Sequence, residues 1–128
     1  MPLIMGAQRN SVGAAAGALY AIVAAATVSH TERLPLDLYV IDALMPDLVG
    51  HDRRASAFLV YMYLWRKTRA GAKPTVVSYS MIADATGLSK RGAQVALAWL
   101  ERRELVRIQR PSATAASIIS LRCDWRRS

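Results

Sequence analysis

Ile82-Ala-Asp-Ala-Thr-Gly-Leu-Ser-Lys-Arg-Gly-Ala-Gln-Val-Ala-Leu-Ala-Trp-Leu100 is the run on which the reading of this chain turns. It sits inside two helical segments, Tyr79–Thr86 and Lys90–Arg103, separated only by Gly87-Leu88-Ser89. Each residue of the junction has a mechanical reason. Ala83 is small where two helices must cross closely. Gly87 supplies the positive φ of a tight inter-helix turn. Leu88 plugs the space between the helices, and the Ser89 hydroxyl is placed to cap the helix that follows. In that helix Ala93, Ala96, Leu97 and Leu100 share one face, at about 100° per residue. Arg91, Gln94, Val95, Ala98 and Arg102 lie opposite, with Lys90 on the flank.

Outward from the run, Thr75-Val-Val-Ser78 is a short β-prone stretch. Downstream, Leu105–Arg110 and Ser117–Arg122 have strand character, and Pro111–Ala116 reads as the loop between them. Upstream, a helix from Arg53 to Thr68 is apolar nearly all round and must be covered on more than one side. Its Tyr61, Tyr63 and Trp65 fit a core better than a base-stacking platform. Asp52 is placed to be its N-cap, which also accounts for the pair His51-Asp52. Leu36 to Met45 reads as a short helix ended before Pro46, with Asp47–Gly50 a connector. Gly71 and Pro74 mark the loop after the apolar helix.

The expected fold is therefore mainly α with a small β-hairpin wing, preceded by a helical extension. The expected division is an Ala-rich extension over residues 1–34 and one folded domain over 35–128. From Asn10 to Thr31 the chain has no Lys, Arg, Asp or Glu, and it is dominated by alanine and glycine. Such residues give little transfer energy into lipid, so residues 11–28 are read as a packed or partly disordered helix in preference to a membrane segment.

Charge divides the 128 residues in the same way. Residues 1–52 carry two basic side chains against five acidic ones, a balance of −3; residues 53–128 carry fifteen against four, a balance of +11. A basic module beside a mildly acidic segment points to a polyanion as partner. The hydrophobic fraction of 53% allows a real core, and the single cysteine, Cys123, excludes an internal disulfide framework and fits a reducing cytoplasm.

The exposed face of the Lys90 helix carries the chemistry that base edges require. Arg can bond guanine O6 and N7, Gln can bond adenine N6 and N7, and Lys can serve phosphate or guanine. All three stand in the first turns, the end that enters a major groove first. The run resembles the helix-turn-helix of bacterial winged-helix proteins. The resemblance is carried by Ile82, Ala83, Thr86, Gly87, Leu88, Ser89, Arg91, Gln94, Ala96, Leu97, Leu100, Glu101, Leu105 and Val106, and it covers Val76–Arg122. It implies sequence-specific binding of double-stranded DNA by a transcription regulator. The helix 90–103 would lie in the major groove, with a wing over 105–122 on the backbone or in the minor groove. The candidate contact residues are Ser78, Tyr79, Ser89, Lys90, Arg91, Gln94, Arg102, Arg107, Arg110 and Thr114. Two alternatives stay open: a replication initiator of plasmid or phage type, and a winged helix used for protein contacts.

The match departs from the family pattern at Gly92, where threonine is usual, and at Glu104, where glycine is usual. Val95, Ala98 and Trp99 are apolar where polar residues are common. Trp99 then needs a cover, from the N-terminal extension, the wing or a second copy. A homodimer through the N-terminal helices or the Val95/Trp99 face is the expected assembly. Arg126 and Arg127, beside Trp125, suit phosphate contact and a frayed tail equally. The sequence has no phosphate-binding glycine loop, no metal-ligand spacing and no nucleophile–base signature, so neither an enzyme nor a cofactor is expected.

Overall fold

The computed structural model describes residues 31–112 and 116–127. The stretch 11–28 lies outside them, as do the extension's expected dimer contacts. Residues from Leu34 onward form one compact unit. That unit is predominantly helical with one small antiparallel sheet, a layout compatible with a winged helix.

The unit opens with a wound segment rather than a short helix and a connector. Two π-helical turns, Val40–Leu44 and Pro46–His51, follow one another with only Met45 between them. This corrects the expected stop before Pro46. Proline has no N–H and its ring crowds the carbonyl four residues back, which is why it ends most α-helices. Here it occupies the first position of the second turn, where no intrahelical donor is needed. Wider winding carries the chain past it: Met45 N–H bonds Val40 O, and Asp52 N–H bonds Asp47 O, each five residues back. Val40, Leu44 and Leu48, four apart, are all buried against the following helix.

That helix, α1 (Ala55–Lys67), is the central element. Val60, Tyr61, Leu64 and Trp65 are buried, as its all-round apolar sequence demands. It packs against the wound segment on one side and the helix-turn-helix on the other. Its end is closed by Thr68, fully buried, whose hydroxyl donates to Leu64 O (2.7 Å) and accepts from Gly71 N–H (3.0 Å). Arg69 and Ala70, which follow, are left-handed, with φ of 54° and 61°.

Strand β1 (Thr75–Val77) leads into α2 (Tyr79–Thr86), and α3 (Lys90–Arg102) follows after a three-residue turn. β2 (Val106–Gln109) and β3 (Ser117–Leu121) form the hairpin. The sheet order is β1–β3–β2, all antiparallel, so the short β-prone run joins the hairpin as a third strand. Register sets the faces: Val106, Ile119 and Val77 turn into the core, while Arg107 pairs with Ser120 on the other side. Glu104, just before β2, has φ 58°. It takes the left-handed conformation that the usual glycine would adopt freely.

The C-terminal residues are ordered by the start of the unit, not frayed. Asp124–Arg127 form a 3-10 turn. Its Trp125 stacks on Tyr39 with ring centroids 4.5 Å apart and donates its indole N–H to Asp37 (2.9 Å). Arg126 Nε donates to the same Asp37 oxygen at 2.6 Å. That guanidinium, and then the Trp125 N–H, hold the Asp37 carboxyl below its ordinary range. Trp65 adds a bond from its indole N–H to Pro35 O (2.8 Å).

One buried polar atom has no hydrogen-bond partner among the described residues, the Tyr61 hydroxyl. Burial pushes its phenol far above the usual value, with the neighbouring Cys123 thiol adding to the effect. A desolvated hydroxyl without a firm partner costs about 1–3 kcal/mol. Tyr61→Phe is therefore expected to leave the unfolding free energy unchanged or raise it by about 1 kcal/mol, read as a higher urea midpoint at constant slope.

Candidate nucleic-acid interface

Two serine caps fix the helix-turn-helix. Ser78 Oγ accepts from Met81 N–H (3.1 Å) at the start of α2, and Ser89 Oγ accepts from Gly92 N–H (2.9 Å) at the start of α3. Between them Gly87 takes φ 83°, and its N–H closes on Ala83 O. Thr86 Oγ1 bonds Ile82 O (2.7 Å) and accepts from Leu88 N–H (3.3 Å), so the turn is held at both ends. Gly92 also has a steric role. A Cβ there would stand 3.1 Å from Ser89 Oγ, a close contact that a larger residue could make only if the capping hydroxyl shifts slightly.

Capped this way, α3 buries Ala93, Ala96, Leu97 and Leu100. Lys90, Arg91, Gln94 and Arg102 are left exposed on the remaining surface. Arg91 Nη1 reaches Gln94 Oε1 at 3.4 Å, a weak contact that holds the two base-reading candidates side by side. Arg102 is drawn toward its own helix, with its guanidinium carbon 5.4 Å from the Trp99 ring centre.

A side-chain bond ties the wing side to the start of the helix-turn-helix. Arg110 Nη2, just past β2, donates to Tyr79 OH at the start of α2 (3.0 Å). Candidates 31 residues apart thus meet. Arg107 is exposed on the outer face of the sheet. Thr114 lies outside the described residues.

The far end of α3 is held by a carboxylate whose part the sequence reading assigned differently. Asp52 is not the N-cap of α1; Arg54 holds that position and makes no side-chain cap. Asp52 instead turns toward α3. It accepts from Trp99 Nε1 (2.8 Å), from Arg103 Nη1 and from His51 Nδ1 (2.9 Å), and its side chain is only 4% exposed. Arg103 also pairs with Asp47 through Nη2. Trp99 is therefore covered from within the unit, by Asp52 at its N–H and by the Arg54 guanidinium over its ring face at 4.2 Å. Half of the expected Val95/Trp99 face is thus already engaged among the described residues. Charge-pattern reading missed this clamp because its members lie 47 and 51 residues apart.

Burial works against the Asp52 carboxylate, but the bonds from Trp99 and His51 and the charge of Arg103 outweigh it and hold it below its ordinary value of 3.8. Among the described residues, Asp47, His51 and Asp52 are the group whose ligand-capable atoms come within 4.8 Å of one another. Arg103 already bridges both carboxylates, so the positive charge such a cluster needs is supplied by the protein. Among the described residues no helix is long and apolar enough to cross a membrane.

Asp52→Ala strands the Trp99 N–H and the Arg103 charge, at an expected cost of about 2 kcal/mol near neutral pH. Because the folded-state value is lowered, the stabilisation is complete above about pH 4 and fades as pH falls through the folded value. The gap between wild type and variant in thermal melts should therefore narrow on acidification; a gap that stays constant from neutral pH to the acid limit of folding contradicts the assignment. No family model matches this chain, and no curated protein or solved structure matches it either.

Proposed function

We propose that this protein binds double-stranded DNA as a winged helix-turn-helix and acts as a transcription regulator. The observation that carries the reading is the exposed Lys90, Arg91 and Gln94 at the capped start of α3, opposite a fully buried apolar stripe. Groove-reading helices need this: base-reading groups at the leading end and a rigid seat behind them. The +11 balance of residues 53–128 supports it, because phosphate neutralisation supplies most of the affinity for a duplex. The Arg110–Tyr79 bond supports a common surface for the start of the helix-turn-helix and the base of the wing.

In this reading Arg91 and Gln94 read base edges, while Lys90, Arg107 and Arg110 meet phosphates. The amide groups at the start of α3 add a dipole that favours a phosphate. Base readers are few, so a large share of the binding energy comes from backbone contacts.

Selection of bound sequences from a random duplex pool, followed by shift assays over a salt series, tests the proposal. Arg91→Ala is expected to weaken the selected site by about 1–3 kcal/mol while barely changing random duplex. Arg107→Ala is expected to weaken all duplexes alike and reduce the salt slope by about one. Absence of binding to any duplex at low salt overturns the proposal.

A further inference from the structure

Away from α3 the fold gathers a second set of arginines, of which only Arg107 is assigned to duplex contact. An open cleft of about 330 Å³ is lined by Arg107 from β2, by Arg122 after β3, and by Arg126 and Arg127 of the C-terminal turn. These come from two stretches of sequence, β2 and the run 122–127, and the C-terminal turn is held in place by Asp37 and Tyr39. We propose that this cleft is a binding site for a phosphate group.

Three features argue for an anion of this kind. The first is charge. Asp124 is the only acidic residue lining the cleft, and it is shared by Arg127 (3.0 Å) and Arg122 (3.5 Å). Arg122 also meets Glu104 (3.6 Å), Arg126 meets Asp37 through its Nε, and Arg107 has no ion pair among the described residues. Guanidinium groups present planar forks of donors that suit phosphate oxygens. The second is the floor. Gly71 lies beneath the arginines, and a Cβ there would stand 3.5 Å from Arg126 Nη1 and 3.2 Å from Cys123 Sγ. Its φ of 83° also favours glycine, so the floor stays without a side chain. The third is what the lining lacks. It has no aromatic ring and no amide side chain, and Leu121 is its one large apolar residue. Stacking and base-edge reading need such groups. The site therefore recognises the phosphate, not what the phosphate is attached to.

The phosphate has two possible sources, a phosphodiester of a nucleic-acid backbone or a free phosphorylated small molecule. The cleft shares only Arg107 with the residues assigned to duplex contact, and the proposal does not rest on duplex binding.

The test is a titration of the ¹⁵N-labelled full chain with inorganic pyrophosphate at low salt, without DNA, following the arginine Nε–Hε resonances. Saturable shifts are expected at Arg107, Arg122, Arg126 and Arg127 at up to millimolar pyrophosphate. Ser120→Glu sets a carboxylate directly across from Arg107 on the outer sheet face, where opposite charges pair favourably. It is expected to weaken pyrophosphate binding about tenfold or more, a change of roughly 1.4 kcal/mol. Arg127→Ala, at an exposed position, provides a second variant and is expected to weaken binding several-fold. Competition with a random duplex separates the sources. Displacement of bound duplex by pyrophosphate, lost in Ser120→Glu, identifies a backbone phosphate; duplex binding untouched by both identifies a free phosphorylated ligand. Absence of saturable shifts at these arginines up to about 10 mM, or shifts that both variants leave intact, overturns the proposal.

Discussion

A single nearly buried carboxylate, Asp52, sets where the second helix of the helix-turn-helix can lie. It takes hydrogen bonds from both the indole and the guanidinium at the end of α3, while its backbone belongs to the exit of the wound N-terminal segment. Hydrophobic packing alone leaves a helix some freedom to slide or rotate, because apolar contact is non-directional. Charge-assisted hydrogen bonds are directional and lose strength quickly when bent. The apolar stripe of Ala93, Ala96, Leu97 and Leu100 therefore supplies the attraction, and Asp52 supplies the register. Serine caps do the equivalent work at the opposite end. An exposed face between two such fixed ends is presented in one orientation, which is what reading a rigid surface requires.

Polar pinning also explains how a unit of modest size keeps its ends in place. Asp37 binds Trp125 and Arg126, so the first and last described stretches of the unit meet at one carboxylate. The tryptophans follow a common pattern. Trp65, Trp99 and Trp125 each bury part of an aromatic body and each spend the indole N–H on an oxygen, from Pro35, Asp52 and Asp37. Such side chains combine apolar area with one directional bond. All three bonds reach into the segment from 35 to 52, which the sheet does not touch by strand pairing. That segment is thus fastened by indoles as well as by Val40, Leu44 and Leu48.

Much of this architecture is legible in the sequence wherever local chemistry decides the structure. Gly87 and Ser89 mark the end of α2 and the start of α3 because caps and left-handed turns depend on neighbours in the chain. The hairpin strands follow from β-propensity and a loop with a proline. Misreadings fall where distant residues decide. Pro46 reads as a stop, because nothing in the local sequence shows that wider winding can carry the chain through it. Asp52 reads as a cap, because its true partners follow 47 and 51 residues later. Arg126 and Arg127 read equally as phosphate contacts or a frayed tail, because the stack of Trp125 on Tyr39 that orders them joins residues 86 positions apart. Of the candidate site, the face of α3 is legible from helical periodicity, whereas the Arg110–Tyr79 bond and the arginine cleft exist only through the fold.

Among the described residues, the four left-handed ones that are not glycine, Arg53, Arg69, Ala70 and Glu104, carry a different kind of information. Each stands where the backbone reverses between elements, and each costs roughly 1 kcal/mol of conformational energy that glycine would not. A Cβ branch makes that conformation far less accessible, so valine, isoleucine and threonine are excluded at these four positions even though three of the side chains are charged and carry no core. Glycine, asparagine and aspartate are the natural replacements. At 53, 69, 70 and 104 the tolerance for substitution is therefore set by the backbone: replacement by glycine or asparagine relieves the conformational cost, whereas a β-branched residue raises it.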